Sequence, residues 1–502
     1  MLKFWRNPEF VRYVRAELRP ARAVTAALVA EVVCVLVGLA CWSAENEHPH
    51  MFFQTFYGWL VGIQYVVLGV WCASSCGQAI CRERELKTYD FLRTTRLTAG
   101  ELLVGKILGV PAMAYFVVAC SLPVSVVCGI LAGFPVRVVA ETYVLLIAFA
   151  LFFSLVALSA SMLIEKTTAG MVGLLGLLSN ALVLPFAKSP FPGFAAVSIF
   201  PALFSLHGLR QFDVARTTPT LVGIELPYFP LTLLLYVALG AWLVLMLVRN
   251  LKKDPEQIRL LSRWQAIGLV AFLNILFYAL LNPKHLATSP AYDTITPGDL
   301  AGLAVVLNAA LLFLVGIAIL TSREKLTVWW RKWSSGMESY WSEFGLPWPW
   351  LVPAAGIAFL FLLGEALGML HAFPLHNWEA GKAALQLLIF LVFTTRDILF
   401  LQWCVLTRMK RPVIKGFLFL WLYYAAAATT TMVVSLGSSA AGRHLVALLT
   451  PYGPYQQERP RLTSDLDVYL GMALGVVVIF FILMAITKRL QRAPTVPEAA
   501  AA

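Results

Sequence analysis

The chain has 502 residues, 60% of them hydrophobic and 13% charged, against about 25% charged in an average soluble domain. An aqueous globular fold cannot bury that much apolar surface, so the composition excludes one. The formal net charge of +12 would suit a polyanion, but the basic residues gather at the ends of apolar runs, so nucleic acid is excluded as a partner.

From the N-terminus, residues 1–22 read as an amphipathic helix lying in the headgroup layer. Arg12, Arg15, Arg19 and Arg22 recur on one face while Val11, Val14 and Leu18 recur on another. The plainer alternative is that these charges only orient the first span. The first apolar run begins after this segment and is long enough to span, so no cleavable signal peptide is expected.

Apolar runs then recur at 24–42, 55–79, 104–131, 136–164, 168–187, 229–248, 265–281, 299–321, 351–371, 382–402, 413–436 and 468–487. A helix needs about 20 such residues to cross about 30 Å of hydrocarbon, whereas barrel strands would alternate over about ten. The expectation is an all-α, polytopic helical membrane protein with about 12 transmembrane helices. With both termini cytoplasmic, 30 of the 39 Lys and Arg residues fall in the inner segments, which sets the orientation.

The outer connections 188–228 and 437–466 are long and rich in Pro and Gly. Each precedes a span that ends on basic residues: Arg249, Lys252 and Lys253, then Lys488, Arg489 and Arg492. The chain therefore reads as a first six-span half over 23–250, a cytoplasmic linker at 251–264, a second six-span half over 265–490 and a disordered tail at 491–502. A finer internal echo lays the segment from Arg84 on the segment from Arg396, pairing Glu85 with Asp397, Thr95 with Thr407 and Arg96 with Arg408.

The stretch from Cys81 to Gly109 carries most of the chemistry. It is densely charged and keeps Leu86, Tyr89, Phe91, Leu92 and Leu97, as an interfacial helix that also meets a protein partner must. Asn7 and Pro8, followed by Arg82, Glu83, Arg84, Glu85, Thr88, Leu92, Thr95, Glu101, Leu102, Gly105 and Lys106, resemble the pattern of the ABC-2 type permeases. The resemblance runs over about residues 7–250 and departs at Lys87, where that family usually has Gly, and at Arg96, where Pro is common. It implies a permease subunit of an ABC-type exporter in a bacterial cytoplasmic (inner) membrane. A separate cytoplasmic ABC ATPase would hold ATP-Mg and engage the chain through Arg82, Glu83, Arg84, Glu85, Thr88, Leu92, Glu101, Gly105 and Lys106. Pairing as a dimer, or an internal pseudo-dimer of the two halves, also follows from the resemblance. Gly100, Gly105 and Lys106 have phosphate-loop spacing, but Ile107 stands where Ser or Thr should hold magnesium, so this chain is expected to bind no nucleotide or other cofactor.

Ionisable groups at membrane depth are costly and often functional. Glu31 and Glu365 fall inside apolar runs and are candidates for the translocation path or a buried pair, with Asn274 and Gln386 as uncharged candidates; Glu141 and Glu165 suit span ends. The seven histidines, His48, His50, His207, His285, His371, His376 and His444, lie in or beside outer loops; converging imidazoles could bind a transition metal, but scattered outer histidines are more often solvated polar groups, so no metal site is expected. The eight cysteines sit mostly within spans, which argues against disulfides. No nucleophile–base arrangement is present, and the chain is not expected to be an enzyme. The alternatives are a twelve-span secondary transporter, a lipid-modifying membrane enzyme and a non-transporting scaffold.

Overall fold

The Asn-Pro pair at the start of the chain sets a helix by two physical means. In the computed structural model Asn7 Oδ1 accepts from the backbone N–H groups of Glu9 and Phe10, and Pro8 fills the first turn, where its missing N–H costs nothing. The structure describes residues 7–45, 49–163, 192–208, 219–221, 224–253, 261–280, 297–366, 377–407, 412–437, 449 and 462–491. Two compact units are present, Met1–Ile258 with Ala279–Thr288, and Arg259–Tyr278 with Ser289–Ala502.

In the first unit α1 (Pro8–Glu17) leads to α2 (Pro20–Glu45), α3 (Pro49–Val66), a π-helical turn (Val67–Cys72) and α4 (Ala73–Glu85). There follow α5 (Tyr89–Thr94), α6 (Ala99–Gly109), α7 (Ala112–Leu131), α8 (Val136–Leu163), α9 (Pro192–Ala195), α10 (Ile199–Leu206), a two-stranded hairpin (Thr220–Leu221 with Ile224–Glu225) and α11 (Tyr228–Asn250). α4 packs along α8, and α8 along α11. Their shared core includes Ala73, Cys76, Ile80, Leu103, Leu158 and Leu247. Small side chains let helices approach where lipid tails offer no hydrophobic drive to association. A buried polar layer crosses this unit: Gln64 Nε2 donates to Ser121 Oγ at 2.9 Å, and Tyr143 O–H donates to Gln64 Oε1 at 3.1 Å.

The second unit holds α12 (Arg263–Leu280), α13 (Pro297–Ala318), α14 (Arg323–Ser334), α15 (Trp348–Ala366), α16 (Asn377–Leu406), α17 (Pro412–Gly437) and α18 (Leu462–Gln491). α16 is its central helix and packs against α13, α15, α17 and α18. Gly316 and Gly416 permit this: a Cβ on either would come within 2.6 and 2.7 Å of Ile398 and Leu401 on α16. At one end the fully buried Arg263 donates to the backbone carbonyls of Ser342, Gly345 and Leu346 and to Thr321 Oγ1, tying the α14–α15 connection to the start of α12.

Among the described residues nine helices are long and apolar enough to cross a membrane, or ten if the bent pair Ala304–Ala318 and Arg323–Ser334 forms one span. The expected run at 168–187 lies outside the described residues. The expected run at 104–131 is divided: α6 stops before Pro111, which lacks an N–H to continue the ladder, and the long apolar helix starts at Ala112.

The end of α4 explains one departure noted in the sequence. Thr88 N–H donates to Glu83 O at 2.9 Å and Lys87 N–H to Arg84 O at 3.1 Å, the two bonds of a Schellman cap. That cap puts Lys87 at φ +56°, the left-handed conformation in which a Cβ is strained and glycine is not. Lys87→Gly is therefore expected to stabilise the chain by about 1 kcal/mol, read as a higher melting temperature in detergent. An unchanged or lowered melt would refute the cap.

Candidate functional site

The cluster with most of the first unit's buried charge joins three helices that are far apart in sequence. α1 lies against α6 because Gly105 and Gly109 leave it room. A Cβ at Gly105 would stand 2.8 Å from Glu9 Cβ, and one at Gly109 would stand 2.9 Å from Tyr13 Cβ. Asn7 fastens the same contact, its Nδ2 donating to Glu101 O at 2.7 Å. Thr98 starts α6 with a capping box, and its N–H and hydroxyl, donating to Glu101, hold that carboxylate below its ordinary pKa.

Into the seam point Glu9, Arg12 and Tyr13 from α1, Glu83 from the end of α4 and Lys106 from α6. Glu83 Oε1 accepts from Lys106 Nζ at 2.5 Å, from Tyr13 O–H at 2.6 Å and from Arg12 Nη2 at 3.4 Å. Glu9 Oε1 lies 2.8 Å from Arg12 Nη2 and 3.6 Å from Lys106 Nζ. Two acids and two bases make the network neutral, which is the condition for keeping Lys106 at 1% exposure. Burial raises the Glu9 carboxyl above its ordinary pKa, against the pull of Lys106 and Arg12. The Tyr13 hydroxyl is raised too, by burial and then by the Glu83 charge.

Beyond this network α5 forms a short shelf. Its Tyr89 and Leu92 point into the unit, where Tyr89 O–H donates to Leu251 O at 3.2 Å. Lys252 Nζ donates to Thr95 O at 3.2 Å, so the shelf is strapped to the end of α11, while Arg84 Nη2, donating to Met162 O at 3.0 Å, ties the end of α4 to the end of α8. On the outside Phe91 is 72% exposed and Leu86 63%, flanked by exposed Arg82, Glu85 and Asp90.

The sequence-derived segment thus separates into two classes. Glu83, Leu92, Gly105 and Lys106 are buried and join helices. Arg82, Glu85 and Thr88 face outward, while Arg84 and Glu101 are partly covered and hold local structure. Glu9 and Tyr13 complete the network and were not singled out in the sequence. An acid in the first turn of an otherwise basic amphipathic helix is the signal that could have found Glu9. Gly100, Gly105 and Lys106 lie within α6, so their phosphate-loop spacing is a helical coincidence.

Glu31 is exposed on α2, in line with exposed Leu28, Val35 and Trp42. Glu365 lies in the last turn of α15, and its side chain is outside the described residues. Of the histidines, His207 donates its Nδ1–H to Leu203 O at 2.8 Å and has Nε2 3.4 Å from Tyr57 Oη, and His50 is described; His48, His285, His371, His376 and His444 are outside the described residues. No group of three or more His, Cys, Asp or Glu among the described residues could hold a metal ion.

A second charged cluster sits inside α16, ten residues before that helix ends. Arg396 Nε donates to Asp397 Oδ1 at 2.9 Å, and its Nη1 and Nη2 donate to Tyr423 and Tyr424 Oη at 3.2 and 3.1 Å. Tyr424 O–H donates to Asp397 Oδ2 at 2.6 Å. Arg396, inside the expected apolar run 382–402, is buried within a long apolar helix. Its paired position Arg84 stands at a helix end, and exposed Glu85 contrasts with buried Asp397, so the internal echo does not join equivalent environments. Comparison with protein-family models, with curated proteins and with solved structures finds no match for the chain.

Proposed function

We propose that the chain is the membrane-embedded permease subunit of an ABC-type exporter. In this reading about twelve spans, with both termini cytoplasmic, lie in a bacterial inner membrane, and ATP is hydrolysed by a separate subunit docked on the inside. The observation that carries the proposal is the pairing of an outward apolar shelf, Leu86 and Phe91 on and beside α5, with a buried ionic network directly behind it. A soluble partner covering the shelf would push on α5, which is strapped to the end of α11, and on the end of α4, which is tied to α8. The network among α1, α4 and α6 then lets these helices move as one body, so that partner binding shifts the balance between inward and outward exposure of a path.

The test follows from the division between outward and inward residues. Extracted in mild detergent from its native membrane, the wild-type chain should retain a Walker-type ATPase subunit. Phe91→Asp and Glu85→Lys, both on the exposed side, should lose at least tenfold of it while melting as the wild type does. Glu83 is unsuited to this test, because a reversed charge there would disrupt the fold. Equal retention by wild type and both variants would defeat the docking assignment.

The Arg396–Asp397 pair favours a second reading, a secondary transporter, because an ionic pair midway along an apolar helix is where carriers couple ions to substrate. Proteoliposomes distinguish the two: uptake that needs ATP and the second subunit supports the exporter, and uptake driven by an ion gradient alone supports the carrier.

A further inference from the structure

We infer that α14 and the connection after it form an in-plane binding surface for the anionic phospholipid headgroups of the inner leaflet. This rests on the membrane reading above but not on the exporter assignment. The apolar helix ending at Ala318 meets α14 at 84° after a short break. If the first crosses the bilayer, the second lies along its surface.

The residues of α14 suit that place. Its sequence, REKLTVWWRKWS, carries four basic residues and one acid. Leu326 and Trp329 are buried against Leu399, Leu406, Ile486 and Leu490, so one side is held by the unit itself. On the other side Lys332 and Val328 are exposed; Trp333 continues the Trp329 side, stacked on that ring and partly exposed, and Met337, Trp341 and Phe344 are exposed in the connection. Ammonium and guanidinium groups interleaved with exposed indoles match the boundary where phosphates meet acyl chains.

The same end of the unit extends the pattern. Arg489, near the end of α18, stacks over Trp403 at 4.9 Å, and Trp264 meets Trp350 edge to face with centroids 4.9 Å apart. α14 thus sits among basic and aromatic groups at the ends of α12, α15, α16 and α18. Charge complementarity with an anionic leaflet follows from the excess of basic over acidic residues on the helix itself.

The experiment uses the full chain reconstituted into vesicles of phosphatidylcholine containing one third phosphatidylglycerol, then extracted in mild detergent, with co-purifying lipid measured by mass spectrometry. Wild type should be enriched in phosphatidylglycerol over the vesicle. Arg323→Gln with Lys332→Gln should reduce that enrichment at least threefold without lowering the melting temperature, and high salt should abolish it in the wild type. Trp341→Ser should reduce it to a smaller extent. Equal enrichment in wild type and the double variant overturns the inference, as does competition by inorganic phosphate at constant ionic strength, which would indicate an isolated anion site. Release of the chain from membranes by alkaline carbonate would instead defeat the membrane reading itself, so the two failures are distinguishable.

Discussion

Lys106→Met is expected to destabilise the first unit by about 3–5 kcal/mol, the cost of removing one member of a buried ion pair and leaving the other charged. Lys106 gives Glu83 its shortest contact and lies 3.6 Å from Glu9. Glu83 Oε2 is already buried without a hydrogen-bond partner among the described residues, so without Lys106 the carboxylate keeps only Tyr13 and the more distant Arg12, both on Oε1, among the described residues. The loss should appear as a melting temperature lower by on the order of 10 °C in detergent. Combining Lys106→Met with Glu83→Gln removes both charges and should recover a large part of the loss, because a neutral pair needs no counter-charge. A single variant that melts like the wild type, or a double variant worse than the single, would refute the network.

The second large effect is expected at α16. Arg396→Met leaves Asp397 buried in a long apolar helix with only the Tyr424 hydroxyl as a donor, and Asp397→Asn leaves the guanidinium with two tyrosine acceptors and no counter-charge. Each change should cost about 3–5 kcal/mol, whereas the double variant Arg396→Met with Asp397→Leu should be closer to wild type. Denaturant or thermal unfolding of the three variants side by side checks this. Strict additivity of the two single losses would show that the side chains act independently, against the 2.8 Å contact between them.

These two clusters were legible in the sequence to different degrees. Glu83, Gly105 and Lys106 could be picked out because charge density between apolar runs is a local property. That Glu83 is a buried joint and Glu85, two residues on, is exposed could not be read there. The difference arises because α1 returns to cover one side of the α4 terminus, bringing Tyr13 across 70 positions and Asn7 across 94 to Glu101. Arg396, within the apolar run 382–402, could not be placed for a related reason. Arg and Asp side by side resemble the charged end of a span, and only the continuation of α16 to Leu406, with two tyrosines supplied from α17, places them in the interior. Lys87 shows the reverse case. A residue that looked like a departure from a motif is a left-handed cap position whose conformation is dictated locally.

By itself the sequence determined that this protein is helical and that its helices are apolar and long. Each of these depends on windows of about 20 residues or fewer, over which a helix is its own context. Only the tertiary structure decided which charges are shielded and which are exposed. Glu83 is neutralised by Lys106 and Arg12 arriving from other helices, 23 and 71 positions away, whereas Arg396 has its counter-charge beside it and is buried by the helices packed around the pair.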